Sequence, residues 1–330
     1  MPGQILKFSK VSFAVALLGL CITFSMAPQA FAQVAPRYEI LELIPPGSAP
    51  TTTSVANSIN NTGQVAIASN GHVWLWEAST NLYTDLGVGT PMQINRFGKI
   101  MGNSATGTTI WEKGVPPVAV NAPPVAMAFN DNGNIAGFYT RAYQTYRGYF
   151  WKAGVFTEIK TFTGTTYGSS RALTMNNLDQ VAGIADAQPG HANVFIWQNG
   201  KMTNKGRYGF DYAECDAIND RGQMAVSGFR VNTYIYDTVF VDGTTTVKIG
   251  KLPGGGDTVP DAMNNIGDIV GTSNGIPFLW TSRKMYNLNN FVTGTGWTVS
   301  AVNDINDQGW IVGYGQFNNV TRAFVMRPLP

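Results

Sequence analysis

Two aspartates, Asp216 and Asp261, stand in the same place in two copies of one short pattern. Each lies three residues before an asparagine, in "DAIN" (216–219) and "DAMN" (261–264). Glu214 and Asp257 are close by in the chain. Carboxyl groups brought together can share acid and base roles, as in the cleavage of a glycosidic bond. Salt bridges or solvated strand ends are the structural alternative for the same residues. Other copies of the pattern carry Asn57, Met92, Met127 and Leu173 in this slot, so the framework does not require an acid there. Few other residues offer chemistry. The histidines are His72 and His191, far apart in sequence. "GTSNG" (271–275) fits G-x-S-x-G, but that elbow must join a strand to a helix, and Gly271 ends a strand. "NDNGN" (130–134) has too few carboxylates for a calcium loop. No metal or cofactor is expected.

The elements that would position these acids come from a repeat. Asn60, Asn95, Asn130, Asn176, Asn219, Asn264 and Asn306 each follow an apolar residue, and glycine comes three residues later in every copy but one, where Asp179 replaces it. A short strand such as "KIMG" or "DIVG" follows, and most copies then carry an aromatic-rich strand such as "YFW" (149–151) or "FLW" (278–280). Asp242 stands where most copies have tryptophan. An Asx residue followed by glycine is hairpin-turn chemistry: the side chain bonds the backbone two residues on, and glycine takes the positive φ. The asparagines lie 35, 35, 46, 43, 45 and 42 residues apart. A period near 40 with four short strands per unit predicts an all-β, seven-bladed β-propeller. Its outer strand in the last blade would come from Tyr38–Leu43, because the final repeat stops after three strands.

Lys7 and Lys10, the apolar run 11–26, and the Ala30/Ala32 spacing predict a signal peptide over 1–32, cut after Ala32. The single propeller domain would then be 33–330, secreted or periplasmic and a monomer, with no membrane insertion of the mature chain. Removing two lysines lowers Lys+Arg from 22 to 20 against 20 Asp+Glu, for a mature net charge of zero. That charge gives no electrostatic basis for nucleic-acid binding. Cys21 leaves with the peptide, so Cys215 has no intramolecular partner.

The unit A-x-x-I-N-x-x-G-x-V-x-G followed by F-L-W, with "HANVF" and "TRAFV" near the third strand, resembles the HAF-type extracellular repeat proteins of bacteria across residues 37–330. The resemblance implies secretion and a propeller-like array, and it brings no catalytic residues to carry over. Within a propeller, the asparagine turns share one face, while the long, varied loops 140–147, 161–171, 186–193, 205–215, 229–237 and 291–298 share the other. Loops carry function more often than framework does. Tyr143, Arg147, Tyr167, Arg171, Tyr208, Tyr212 and Trp297 are therefore the candidate ligand-binding residues, suited to a glycan or an extracellular protein. The leading expectation is a non-enzymatic recognition propeller. The alternatives are a polysaccharide hydrolase or lyase using Asp216, Asp261 and Glu214, and a structural surface or matrix protein.

Overall fold

The computed structural model describes residues 36–121, 125–164, 167–188 and 191–330. The expected signal peptide and Cys21 lie outside the described residues. Pro36–Pro330 forms seven four-stranded antiparallel sheets around an axis. Blades 1 to 6 each use four consecutive strands. Blade 7 takes Trp297–Ile305, Ile311–Phe317 and Val320–Pro328 from the chain's end and Tyr38–Leu43 from its beginning. The closing strand pairs from Tyr38↔Pro328 to Leu43↔Ala323, as its sequence predicts. Arg322 reinforces the closure: its Nε lies 2.8 Å from Glu42, and its guanidinium bonds the Pro50 carbonyl in the link to blade 1.

Hydrophobic surface is buried between blades, because a single sheet cannot cover both of its faces. Trp76, Ile67 and Ile59 of blade 1 pack with Val312, Ala323 and Val325 of blade 7. Phe150 of blade 3 meets Trp197 of blade 4 at 5.2 Å between ring centroids. The junction that joins the chain ends is thus built like the others. The outer strand of blade 2, Val115–Ala119, is exposed and holds Pro116 and Pro117, which remove N–H donors from an open edge.

The asparagines do more than turn the chain. Each Oδ1 accepts the N–H groups two and four residues on, as Asn219 does from Arg221 at 3.1 Å and Gln223 at 3.0 Å. Each Nδ2 donates to the asparagine carbonyl of the next blade, from Asn60 to Asn95 and onward until Asn306 returns to Asn60 at 3.1 Å. The seven bonds close a ring. All seven side chains are buried. Aspartate supplies the acceptor but not the donor, which explains why the copies carry asparagine without exception. The two departures from the pattern leave the turns intact. Asp179 adopts φ +59° and accepts from Asn130 and Asn134, while Asp242 accepts from Gln223 at 3.0 Å.

Every innermost strand carries a bulge at the same place. The extra residue is Asn57, Met92, Met127, Leu173, Asp216, Asp261 or Asn303. This is the slot three before the asparagine. In five blades a glycine faces the bulge; a Cβ on Gly183 would lie 2.0 Å from the Arg171 carbonyl oxygen. Bulges release a residue from the ladder and re-aim its side chain. The variability of the slot follows from that freedom.

Candidate functional site

The innermost strands of blades 4, 5 and 6 bring five of the sequence-selected residues into one neighbourhood. Arg171 lies on Ser170–Met175, Tyr212, Glu214 and Asp216 lie on Tyr212–Ile218, and Asp261 lies on Thr258–Met263. Tyr212 and Glu214 are two residues apart on one strand and so share a face. The Arg171 guanidinium donates to the Tyr212 hydroxyl at 2.7 Å and reaches Glu214 at 3.5 Å. The Tyr212 hydroxyl donates to the same Glu214 oxygen at 3.1 Å. Glu214 is thereby oriented by two donors, one of them positive. Tyr212 stacks on Phe229 at 5.3 Å, and burial together with the neighbouring Glu214 pushes its phenol up to about 12.

The two bulge aspartates behave differently. Asp216 turns back onto its own blade and accepts the Ser227 N–H at 2.8 Å. Desolvation, then the charges of Glu214 and Asp261, hold its carboxyl well above the usual range. Asp261 keeps an accessible face by area, yet the surrounding protein strips enough water from it to push its carboxyl up to about 6. Asp216 feels the charges of both Glu214 and Asp261. Asp257 is committed to the Tyr236 N–H at 2.8 Å. Tyr236 joins the cluster electrostatically, its phenol raised by burial and then by Glu214, Asp216 and Asp257. Sequence reasoning missed Tyr236; its only signal was membership of the varied loop 229–237.

The loop residues separate into three groups. Tyr143 and Tyr167 are exposed and meet edge to face at 5.5 Å. Arg171 and Tyr212 belong to the acid cluster. Arg147, Tyr208 and Trp297 belong to the framework, which corrects the expectation that all seven present one recognition surface. Arg147 is buried and bonds the Gly168 carbonyl with its guanidinium near Glu158, the arrangement that Arg322 makes in blade 7. Tyr208 packs against the blade 5 core. Trp297 stacks on Phe317 at 4.9 Å and meets Phe324 edge-on at 5.9 Å. His72 pairs with Asp85 at 2.9 Å, and His191 lies 3.2 Å from Arg207. Cys215 is fully buried, with burial pushing its thiol up.

A cavity of about 300 Å³ opens beside the cluster and is lined in part by Tyr146, Ser169, Arg171 and Tyr212. On the opposite face, a cavity of about 200 Å³ is lined by six of the seven ring asparagines, all but Asn130, and by the residues that follow the seven. Those next residues form a second belt. Arg96 N–H donates to Asp131, Asp131 to Asn177, Asn177 to Asp220, Asp220 to Asn265, Asn265 to Asp307, and Asp307 to Asn61. Their side chains serve the junctions between blades. The acid cluster, not this belt, is the candidate for chemistry.

No protein-family model and no curated protein matches the chain. Solved propellers do. The β-propeller domain of the Trilobed protease from Pyrococcus furiosus aligns with TM-score 0.59 and 10% identity, over 85% of this chain and 98% of that one. An acylaminoacyl peptidase of Pyrococcus horikoshii aligns with TM-score 0.58 and 10% identity, over 85% of this chain and 52% of that one, so this chain spans about half its length. An oligogalacturonate lyase of Vibrio parahaemolyticus aligns with TM-score 0.57 and 10% identity, over 88% of this chain and 97% of that one. At such identity the likeness establishes the fold. It also corrects the leading expectation of a non-enzymatic recognition module. The architecture is shared with parts of peptidases and, over nearly the whole chain, with a lyase.

Proposed function

We propose that this chain is an exported enzyme that cleaves glycosidic bonds of an extracellular polysaccharide at the channel mouth of blades 4 to 6. The observation that carries the reading is Glu214, oriented by Arg171 and Tyr212 on the innermost strand of blade 5, with a second carboxyl, Asp261, raised to about 6 on the innermost strand of blade 6. Two carboxyl groups in unlike environments divide the acid and base roles. Asp261 donates its proton to the leaving oxygen as the bond to the anomeric carbon breaks. Glu214 activates the attacking water or itself attacks that carbon. The near whole-chain likeness to an oligogalacturonate lyase supports carbohydrate cleavage within this architecture. The signal-peptide pattern and the HAF-type resemblance support export.

A lyase reading draws on one specific observation: Arg171 stands beside a phenol held protonated, a pair suited to neutralising a uronate carboxylate and protonating a leaving group. Incubating the mature chain, 33–330, with polygalacturonate, xylan and a mixed-linkage β-glucan separates the two. Hydrolysis gives new reducing ends alone, and elimination adds the ultraviolet absorbance of an unsaturated product. If no polymer yields new ends, the enzymatic reading fails.

A further inference from the structure

The cavity beside the acids shares two walls with them. Arg171 and Tyr212, which hold Glu214, also line this space of about 300 Å³. Its remaining walls mix chemistry: Ile184 is apolar, while Ser169, Asp186 and Tyr146 are polar. Asp186 is fixed in place by accepting the Ser169 N–H at 2.7 Å. Two tyrosines lie close to this lining in the chain: Tyr167, two residues before Ser169, and Tyr143, three residues before Tyr146.

These two rings are unusual. Tyr143 is 78% exposed and Tyr167 70% exposed, and they meet edge to face at 5.5 Å with 62° between planes. Tyr143 at φ +61° and Gln144 at φ +57° are consecutive non-glycine residues in the left-handed region. That conformation is strained for bulky side chains. The strain here secures no buried core, since neither ring is covered. It instead holds two aromatic rings together in water, on segments that continue into the cavity-lining residues Tyr146 and Ser169.

A sugar unit matches this arrangement. It has an apolar C–H face that stacks on an aromatic ring and a rim of hydroxyls that bonds carboxylate and guanidinium groups. Given the catalytic reading above, on which this step rests, we infer that the cavity, together with the exposed Tyr143–Tyr167 pair, is a subsite that holds a sugar unit of the polymer next to the cleaved bond. Tyr143 and Tyr167 stack against the chain as it enters. Asp186 and Arg171 bond its hydroxyls.

The test combines Tyr143→Ala with Tyr167→Ala in the mature chain, using polygalacturonate, xylan and mixed-linkage β-glucan as probes. On the polymer that is cleaved, KM is expected to rise about three- to tenfold per ring, with kcat unchanged within about twofold. Retention of Glu214→Gln protein in polymer-containing gels is expected to weaken by the same factor when both tyrosines are removed. Each single variant serves where the double variant melts early. Cleavage with unchanged KM and unchanged retention overturns the subsite and leaves the catalytic reading standing. Retention that depends on the tyrosines, without cleavage by the parent chain, supports the subsite and overturns the catalytic reading. Neither cleavage nor retention overturns both.

Discussion

At the scale of single residues, the hydrogen-bonding capacity of one amide explains the repeat. An asparagine that accepts twice within its turn and donates once to the next blade uses both ends of its side chain. Asn219→Asp keeps the acceptor, loses the donor, and leaves the Asn264 carbonyl with the Gly267 N–H of its own turn alone. A loss of about 1–3 kcal/mol is expected in urea unfolding. Asn219→Ala should cost at least as much. The turn role was legible because it acts over four residues. The ring was not, because its partners lie 35 to 46 residues apart, and 246 at the closing bond, and no local pattern encodes where the next blade will stop. The acids carry a pH signature. Asp261 and Asp304 are both pushed up to about 6 by burial, above their value of 3.8 in the open chain. Asp304 is raised even though Ser58, Ile59 and Ile305 all donate to it. The folded state therefore binds these protons more tightly than the unfolded state. The stability they contribute is fully present below about pH 4 and is lost as pH rises through about 6. Thermal melts of Asp261→Asn should show a flatter decline across that window than the parent chain. An unchanged slope would remove Asp261 from the cluster.

At the scale of elements, the bulge decides what the innermost strand can offer. The sequence displays a slot where asparagine, methionine, leucine and aspartate alternate, and it also displays a glycine that five blades place as the third residue of the second strand. It does not show that the two belong together, since a bulge is a property of paired strands. The glycine permits the approach: a Cβ at position 183 would meet the Arg171 carbonyl oxygen at 2.0 Å. Gly183→Ala should therefore shift the strand that carries Arg171, at a cost of about 1–3 kcal/mol. Activity is expected to fall as well, although Gly183 touches no substrate. Full activity at unchanged stability would show that the bulge does not position the site. The same reasoning explains why the loop aromatics were only partly legible. Composition marks Trp297 and Tyr143 alike as contact residues. The stack of Trp297 on Phe317 comes from their pairing across adjacent strands, at ends that the repeat pattern does not mark as strand.

At the scale of the whole molecule, closure by strand exchange was readable because the last repeat lacks a strand and the first residues supply one. Tyr38–Leu43 completes blade 7 and brings Glu42 to Arg322. Removing residues 33–43 should expose the edge of Val320–Pro328, broaden the unfolding transition and promote association, as seen by light scattering. Cys215 reports on the same integrity. Buried in blade 5, it should resist a thiol reagent in the native chain and react fully in denaturant. Rapid native labelling would mean that the blade opens.

The catalytic claim is tested most directly by the initial rate of reducing-end release from polysaccharide by the parent chain, Glu214→Gln and Asp261→Asn, compared at equal folded content by circular dichroism. The account expects release by the parent and a loss of about 100-fold or more in each variant. With Asp261→Asn, the loss should be smaller for substrates whose leaving group needs no proton. Equal rates in all three proteins, or no release by the parent, would contradict it.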